Sequence, residues 1–380
     1  MEITSKSVLL GGISPEQFMR RHWQRKPLLV RGAIPAFAGV LNRTEMFALA
    51  ARDDVESRLI THGKQGWKMR QGPLPRRALP PLTQREWSLL VQGVDLHSDA
   101  AHALLQQFRF IPEVRLDDLM VSYATDGGGV GPHFDSYDVF LLQAHGRRRW
   151  RIGRQRDLRL QEGVPLKILA DFTPEEEFVL EPGDMLYLPP RYAHDGVAIG
   201  ECMTCSIGFR APSRGGIARE LLQRVADTSE DELGTQLYRD AGQPAVDTPA
   251  SIPAALQDFG REALVAMLSD PRAMNCALGE IMTEPKANVW FDASDAEDAP
   301  FKAHGLALDR RSRMLYDADH VFINGESYRA GGRDAQLMRR LADLRALSGA
   351  EVARASAGAR ELLQAWCDDG WVHPVTEESA

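Results

Sequence analysis

Between Leu119 and Phe209 the apolar residues fall in short runs, many alternating with polar ones, and Gly and Pro punctuate them. A period of two with frequent breakers predicts strands rather than helices. The expected strands are Leu119–Tyr123, His133–Gln143, Arg149–Ile152, Glu177–Leu180, Asp184–Leu188 and Met203–Phe209, with Arg210-Ala211-Pro212 closing the module. The first 120 residues read as mixed helix and loop. Ser14-Pro15-Glu16-Gln17 forms a capping box with Pro at the first helical position, so a helix should pass through Phe18 and Trp23 and stop before Pro27. Leu28–Val30 reads as a short buried strand, Pro73–Pro81 as a loop, and Leu96–Arg109 as helix.

After residue 213 helical spacing returns at Ile217, Leu221, Leu222 and Val225. From Pro285 the pattern mixes short strands (Val289–Phe291, Val321–Ile323) with amphipathic helices near Gln336–Leu347 and Ser356–Cys367. It ends on Asp369-Gly370-Trp371-Val372, a turn and a strand. Helix, helix and then a β-hairpin is a winged-helix texture. The expected class is α+β and multidomain: a barrel with a helical N-terminal part over 1–213, a helical segment over 214–280, and a winged-helix-like domain over 281–380.

A chain of 380 residues suits two or three domains, and 44% hydrophobic with 26% charged residues excludes wholesale disorder. No apolar run reaches the ~18–20 residues of a membrane span. The N-terminus lacks a signal-peptide core and four cysteines build no disulfide framework, so a cytoplasmic protein is expected. The net charge of −8 is uneven: residues 1–213 carry 27 Lys+Arg against 25 Asp+Glu, and residues 214–380 carry 18 against 28. An acidic second half disfavours nucleic acid and favours a basic partner.

His133-Phe134-Asp135 follows the loop Asp126–Pro132, and on a strand residues i and i+2 project from one face. Such a pair arises by chance, and His97-Ser98-Asp99 is read as a helix start. Downstream, Pro182-Gly183-Asp184 leads through Met185–Leu188 to Pro189-Pro190 and then His194, the second-motif pattern of a cupin barrel with Arg191 where Gly is usual. His133, Asp135 and His194 then make two imidazoles and one carboxylate, the facial set of non-haem Fe(II) oxygenases. Such a centre needs a reductant beside O₂. 2-Oxoglutarate serves, and its distal carboxylate calls for a cation. Arg147, Arg148 and Arg149 lie on the next strand, Arg148 facing away from the other two, and Ser206 offers a hydroxyl. Cys202-Met203-Thr204-Cys205 is not read as a zinc site, since positions three apart on a strand face opposite ways. Tyr137 shares a face with His133 and Asp135 and is a candidate wall for the substrate. Asp126 is preferred over Asp138 as the carboxylate for a guanidinium, because Asp138 should face away.

Gly131-Pro132-His133-x-Asp135, Gly146-x-Arg148-x-Trp150 and the Pro182–His194 segment together resemble a Jumonji-C oxygenase, nearest to the bacterial ribosomal oxygenases of the cupin-4 group. Trp23–Gly32, Tyr137–Gln143 and Ser206–Pro212 resemble the same family. The resemblance implies a double-stranded β-helix, a helical dimerisation segment and a C-terminal winged helix. It implies iron ligands at His133, Asp135 and His194, and 2-oxoglutarate at Arg148 and Ser206. It further implies hydroxylation, at the β-carbon, of an arginine of the large-subunit ribosomal protein L-sixteen. Alternatives are a histidyl or small-molecule hydroxylase on the same scaffold, and a ligand-sensing regulator with no enzymatic step.

Overall fold

The computed structural model describes residues 2–227, 229–293 and 305–375. The chain forms two compact units that meet in sequence at 211/212.

In the first unit α1 (Pro15–Arg21) starts on the expected capping box: the Ser14 side chain accepts the Gln17 N–H, and the Gln17 side chain accepts the Ser14 N–H. It ends before Trp23, earlier than the spacing suggested. β1 (Leu28–Val30) is followed by α2 (Arg43–Ala50), β2 (Ser57–Gly63), β3 (Gly66–Gln71) and β4 (Trp87–Val91). These last three strands stand where helix and loop were expected. They find their partners only in space, as β2 pairs with both β3 and β4, and β4 pairs with β5 (Leu116–Ala124). The helix expected over Leu96–Arg109 is α3 (Asp99–Gln106), capped by Ser98, which bears out the reading of His97-Ser98-Asp99 as a helix start.

β6 (Val139–Gly153), β7 (Glu176–Leu180), β8 (Met185–Leu188) and β9 (Ala193–Phe209) complete one nine-stranded antiparallel sheet. β6 and β9 are long and pair along their lengths, so Arg149–Ile152 continues β6 rather than starting a new strand. Register shifts flank His145. Gly146 there has φ of 60°, and a Cβ on it would stand 2.0 Å from the Glu201 carbonyl oxygen, so only glycine fits. The bulge changes phase: Leu141 and Gln143 point to the same side as Arg148 and Trp150.

That alternation splits the core in two. Val139, Leu141, Trp150, Ile152, Leu186 and Leu188 pack inside the barrel. Phe140, Leu142, Tyr187 and Phe209 pack outside, against Phe18 and Phe108 of the N-terminal segments. Burial of side chains this size contributes roughly 1.5–3 kcal/mol each. Among them Asp138 is fully buried, accepting from Tyr187 Oη at 2.6 Å, Gln24 Nε2 at 3.1 Å and Arg115 Nη2 at 3.4 Å. It faces away from the barrel interior, as alternation required.

In the second unit α4 (Arg214–Asp227), α5 (Ser229–Leu233), α6 (Ala254–Leu268) and α7 (Pro271–Thr283) come first. β10 (Leu306–Leu308), β11 (Met314–Tyr316), β12 (His320–Ile323), β13 (Glu326–Arg329), α8 (Gly332–Leu344), β14 (Ala346–Leu347), α9 (Gly349–Val352), α10 (Ala357–Asp368) and β15 (Val372–Pro374) follow. α7 sits on the C-terminal module, with Gly279 against the Phe322 ring and Glu280 accepting from Ser327 Oγ at 2.6 Å. Val289–Phe291, expected as a strand, is irregular. Its place in the structure is set by Arg311, which donates to the Trp290 carbonyl at 2.6 Å and lies over the Phe291 ring. No helix among the described residues is long and apolar enough to cross a membrane.

Candidate metal and cosubstrate site

His133 lies outside a regular strand and forms an isolated antiparallel bridge with His194. His133 N–H donates to the His194 carbonyl at 2.9 Å, and His194 N–H to the His133 carbonyl at 2.8 Å. The expectation that His133 and Asp135 share a face of one strand is therefore replaced by backbone pairing of the two histidines across the barrel mouth. Asp135 is fixed by its own carbonyl, which accepts the Arg191 N–H at 2.7 Å. Arg191 adopts φ of 63°, the left-handed conformation that glycine would take without strain.

Each imidazole has one nitrogen committed. His133 Nδ1 is 2.9 Å from the Gly131 carbonyl, and His194 Nδ1 is 3.0 Å from the Tyr192 carbonyl. That contact fixes tautomer and ring direction and leaves Nε2 for a ligand. His194 Nε2 is 3.7 Å from Asp135 Oδ2, and one donor atom from each of the three residues lies within 4.8 Å of the others. Burial and then the neighbouring His133 push the His194 pKa down to about 4, so its ring is neutral near pH 7, the form that ligates. Two nitrogens and one oxygen converging from one side, whose side chains make no hydrogen bond to one another, fit a first-row divalent ion that keeps open positions.

Arg148 is 5% exposed, whereas Arg147 and Arg149 on the other face are exposed. Arg148 Nε donates to Cys202 Sγ at 3.4 Å, and its Cζ lies 5.8 Å from the Trp150 ring centre. Its Nη2 is buried with no hydrogen-bond partner. Leaving such a group unpaired costs more than an ordinary hydrogen bond returns, so a cationic donor held this way fits a carboxylate brought by a ligand. Trp150 stands between the two parts of the site, its ring 5.9 Å from that of His194. Gly196 opposite it has no room for a side chain: a Cβ would be 2.5 Å from Trp150 Cζ3. Ser206 is buried and lies four residues beyond Cys202 on the same face of β9, in unbroken register with β5. Cys205 faces the outer core instead, so the two cysteines share no site.

Tyr137 is 38% exposed. Burial, then the charges of Asp135 and Asp118, raise the pKa of its phenol, so both carboxylates lie near it. Asp126 is held elsewhere: Oδ2 pairs with Arg85 Nη2 at 2.7 Å and Oδ1 accepts the Gly200 N–H at 2.8 Å. Asp118, absent from the residues expected at the site, is 4% exposed and accepts the Gly93 N–H at 3.0 Å. No motif marks it, and only its nearness to Tyr137 in the fold does. Trp150 and Cys202, neither of them expected at the site, join it through Arg148. Period-two spacing from Arg148 was the available signal for Trp150.

A jelly-roll barrel holding two histidines and one carboxylate beside a buried arginine defines a JmjC-type oxygenase. The comparisons agree. Residues 103–216 match the JmjC domain model and residues 266–373 the ROXA-like winged helix. Ribosomal protein uL16 3-hydroxylase of Escherichia coli (strain K12) is 34% identical, over 84% of this chain and 86% of that protein. A probable ribosomal oxygenase of Haemophilus influenzae is 30% identical, over 94% and 96%. The X-ray structure of E. coli ycfD superposes with a TM-score of 0.82 at 31% identity, covering 94% of this chain and 97% of that one. The complex of YcfD with cobalt and 2-oxoglutarate does so with a TM-score of 0.78 at 30% identity, with the same coverage. The chain belongs to the JmjC-domain ribosomal oxygenases.

Proposed function

We propose that this protein is an Fe(II)- and 2-oxoglutarate-dependent oxygenase that hydroxylates an arginine side chain of ribosomal protein uL16 at its β-carbon. The observation that carries the reading is the pairing of an open two-histidine, one-carboxylate set with a buried arginine whose Nη2 lacks a partner. His133, Asp135 and His194 hold the metal, and Arg148 with Ser206 receives the distal carboxylate of 2-oxoglutarate. Fe(II), 2-oxoglutarate and O₂ together supply an oxidant for a C–H bond, with succinate and CO₂ released. The chain's own work is to fix three ligands, exclude water around Arg148, and aim the substrate carbon. Tyr137 forms a wall for the arginine side chain, and Asp118, near Tyr137, joins Asp126 as a candidate carboxylate for its guanidinium.

The acidic second half supports a basic partner, and that association weakens with salt. Exposed Leu222, Leu256, Leu264, Val265 and Leu268 on α4 and α6 support pairing of two chains through these helices in a cytoplasmic protein that binds no DNA. The test of function is to incubate the full chain with Fe(II), 2-oxoglutarate and a uL16 peptide. One added oxygen on an arginine, with matching succinate, is expected. Oxygen on histidine would give the histidyl hydroxylase reading, and no succinate with any substrate would overturn the enzyme.

A further inference from the structure

Arg148 is held on three sides before any ligand arrives. Cys202 Sγ accepts its Nε–H at 3.4 Å, the Trp150 ring lies 5.8 Å from its Cζ, and Ala198 stands opposite it on β9. Ala124, Ala198 and Cys202 pack together, and Ala198 faces Arg148 directly across the strands. The choice of a thiol has a physical meaning. A carboxylate at position 202 would neutralise the guanidinium and compete with an incoming anion. A methyl group would leave Nε a second buried donor without a partner. A thiol is a weak, uncharged acceptor, so it fixes direction while the charge and Nη2 stay available.

Resting on the cosubstrate reading above, we propose that Cys202 is a positioning residue for 2-oxoglutarate, acting through Arg148 to select a 2-oxo acid with a distal carboxylate. It acts at the Arg148 end of the site rather than at the metal ligands. Its effect is confined to recognition of the far end of the cosubstrate.

The full chain, loaded with Mn(II) so that no turnover occurs, is titrated calorimetrically with 2-oxoglutarate and with 2-oxopentanoate, which lacks the distal carboxylate. Cys202→Ala weakens 2-oxoglutarate about tenfold and leaves 2-oxopentanoate unchanged. Cys202→Ser, which restores an acceptor, recovers most of the loss. In an Arg148→Gln background Cys202→Ala has no further effect, because the two act as one unit. Should Cys202→Ala fail to fold, Cys202→Val, larger by about a methyl group and without an acceptor, takes its place. Equal weakening of both acids would make Cys202 merely structural and overturn the proposal, as would unchanged 2-oxoglutarate affinity where Arg148→Gln loses it. If Arg148→Gln itself changes nothing, the cosubstrate reading falls and this proposal falls with it.

Discussion

Two buried charges sit on and next to β6, ten residues apart, and the fold treats them in opposite ways. Asp138, just before the strand and outside the barrel, is fully buried and takes bonds from Tyr187, Gln24 and Arg115. Arg148, inside the barrel, is 5% exposed and has a weak thiol bond at Nε, an aromatic face, and nothing at Nη2. Burial raises the Asp138 pKa, and the Tyr187, Gln24 and Arg115 contacts oppose it. A charge whose partners all come from the chain fastens the fold; one left short of partners waits for a ligand. Satisfaction, rather than burial, separates the two charges.

The largest effect comes from emptying the metal site. His133→Ala, Asp135→Ala and His194→Ala each take 2-oxoglutarate turnover to background, while circular dichroism and thermal melting show the fold retained. A variant that keeps its turnover would not be a ligand. Asp138→Ala breaks the comparison from the other end. It leaves Arg115 and the Tyr187 hydroxyl facing a void, and urea unfolding should show a loss of about 3–5 kcal/mol. Cosubstrate affinity of the folded fraction should hold.

Arg148→Gln sharpens the contrast. Affinity for 2-oxoglutarate falls about 100-fold, or ~3 kcal/mol, yet the ligand-free variant melts at or above the parent temperature, since an unpaired buried charge has gone. A stability loss as large as that of Asp138→Ala would erase the distinction. Arg191→Gly relieves a left-handed backbone and should add about 0.5 kcal/mol in urea titration. Arg147→Ala and Arg149→Ala, on the solvent face, should stay within about 0.5 kcal/mol of the parent and leave cosubstrate affinity intact.

Much of the site was legible before the fold. The ligand types, the turn that opens β8 and the opposite facing of Arg148 all follow from local spacing, because alternation along a strand is set by backbone geometry alone. The winged-helix texture was legible for the same reason, with α8 and α10 close to their expected bounds. What failed was non-local. β2, β3 and β4 carry too weak a pattern to declare themselves, and they become strands because the edge of β5 offers unpaired backbone groups. Asp126 and Asp118 could not be ranked from sequence, since Arg85, Gly200 and Tyr137 approach them from distant segments.

The sequence by itself determined which residue types could bind a metal and that Arg148 would face away from Arg147 and Arg149, for both depend on neighbours one or two positions away. Only the tertiary structure decided that His133 and His194 bridge backbone to backbone, that Cys202 grips Arg148, and that Nη2 is left over. Those facts depend on which strands meet, and strand pairing is chosen by burial of the whole sheet rather than by any one segment.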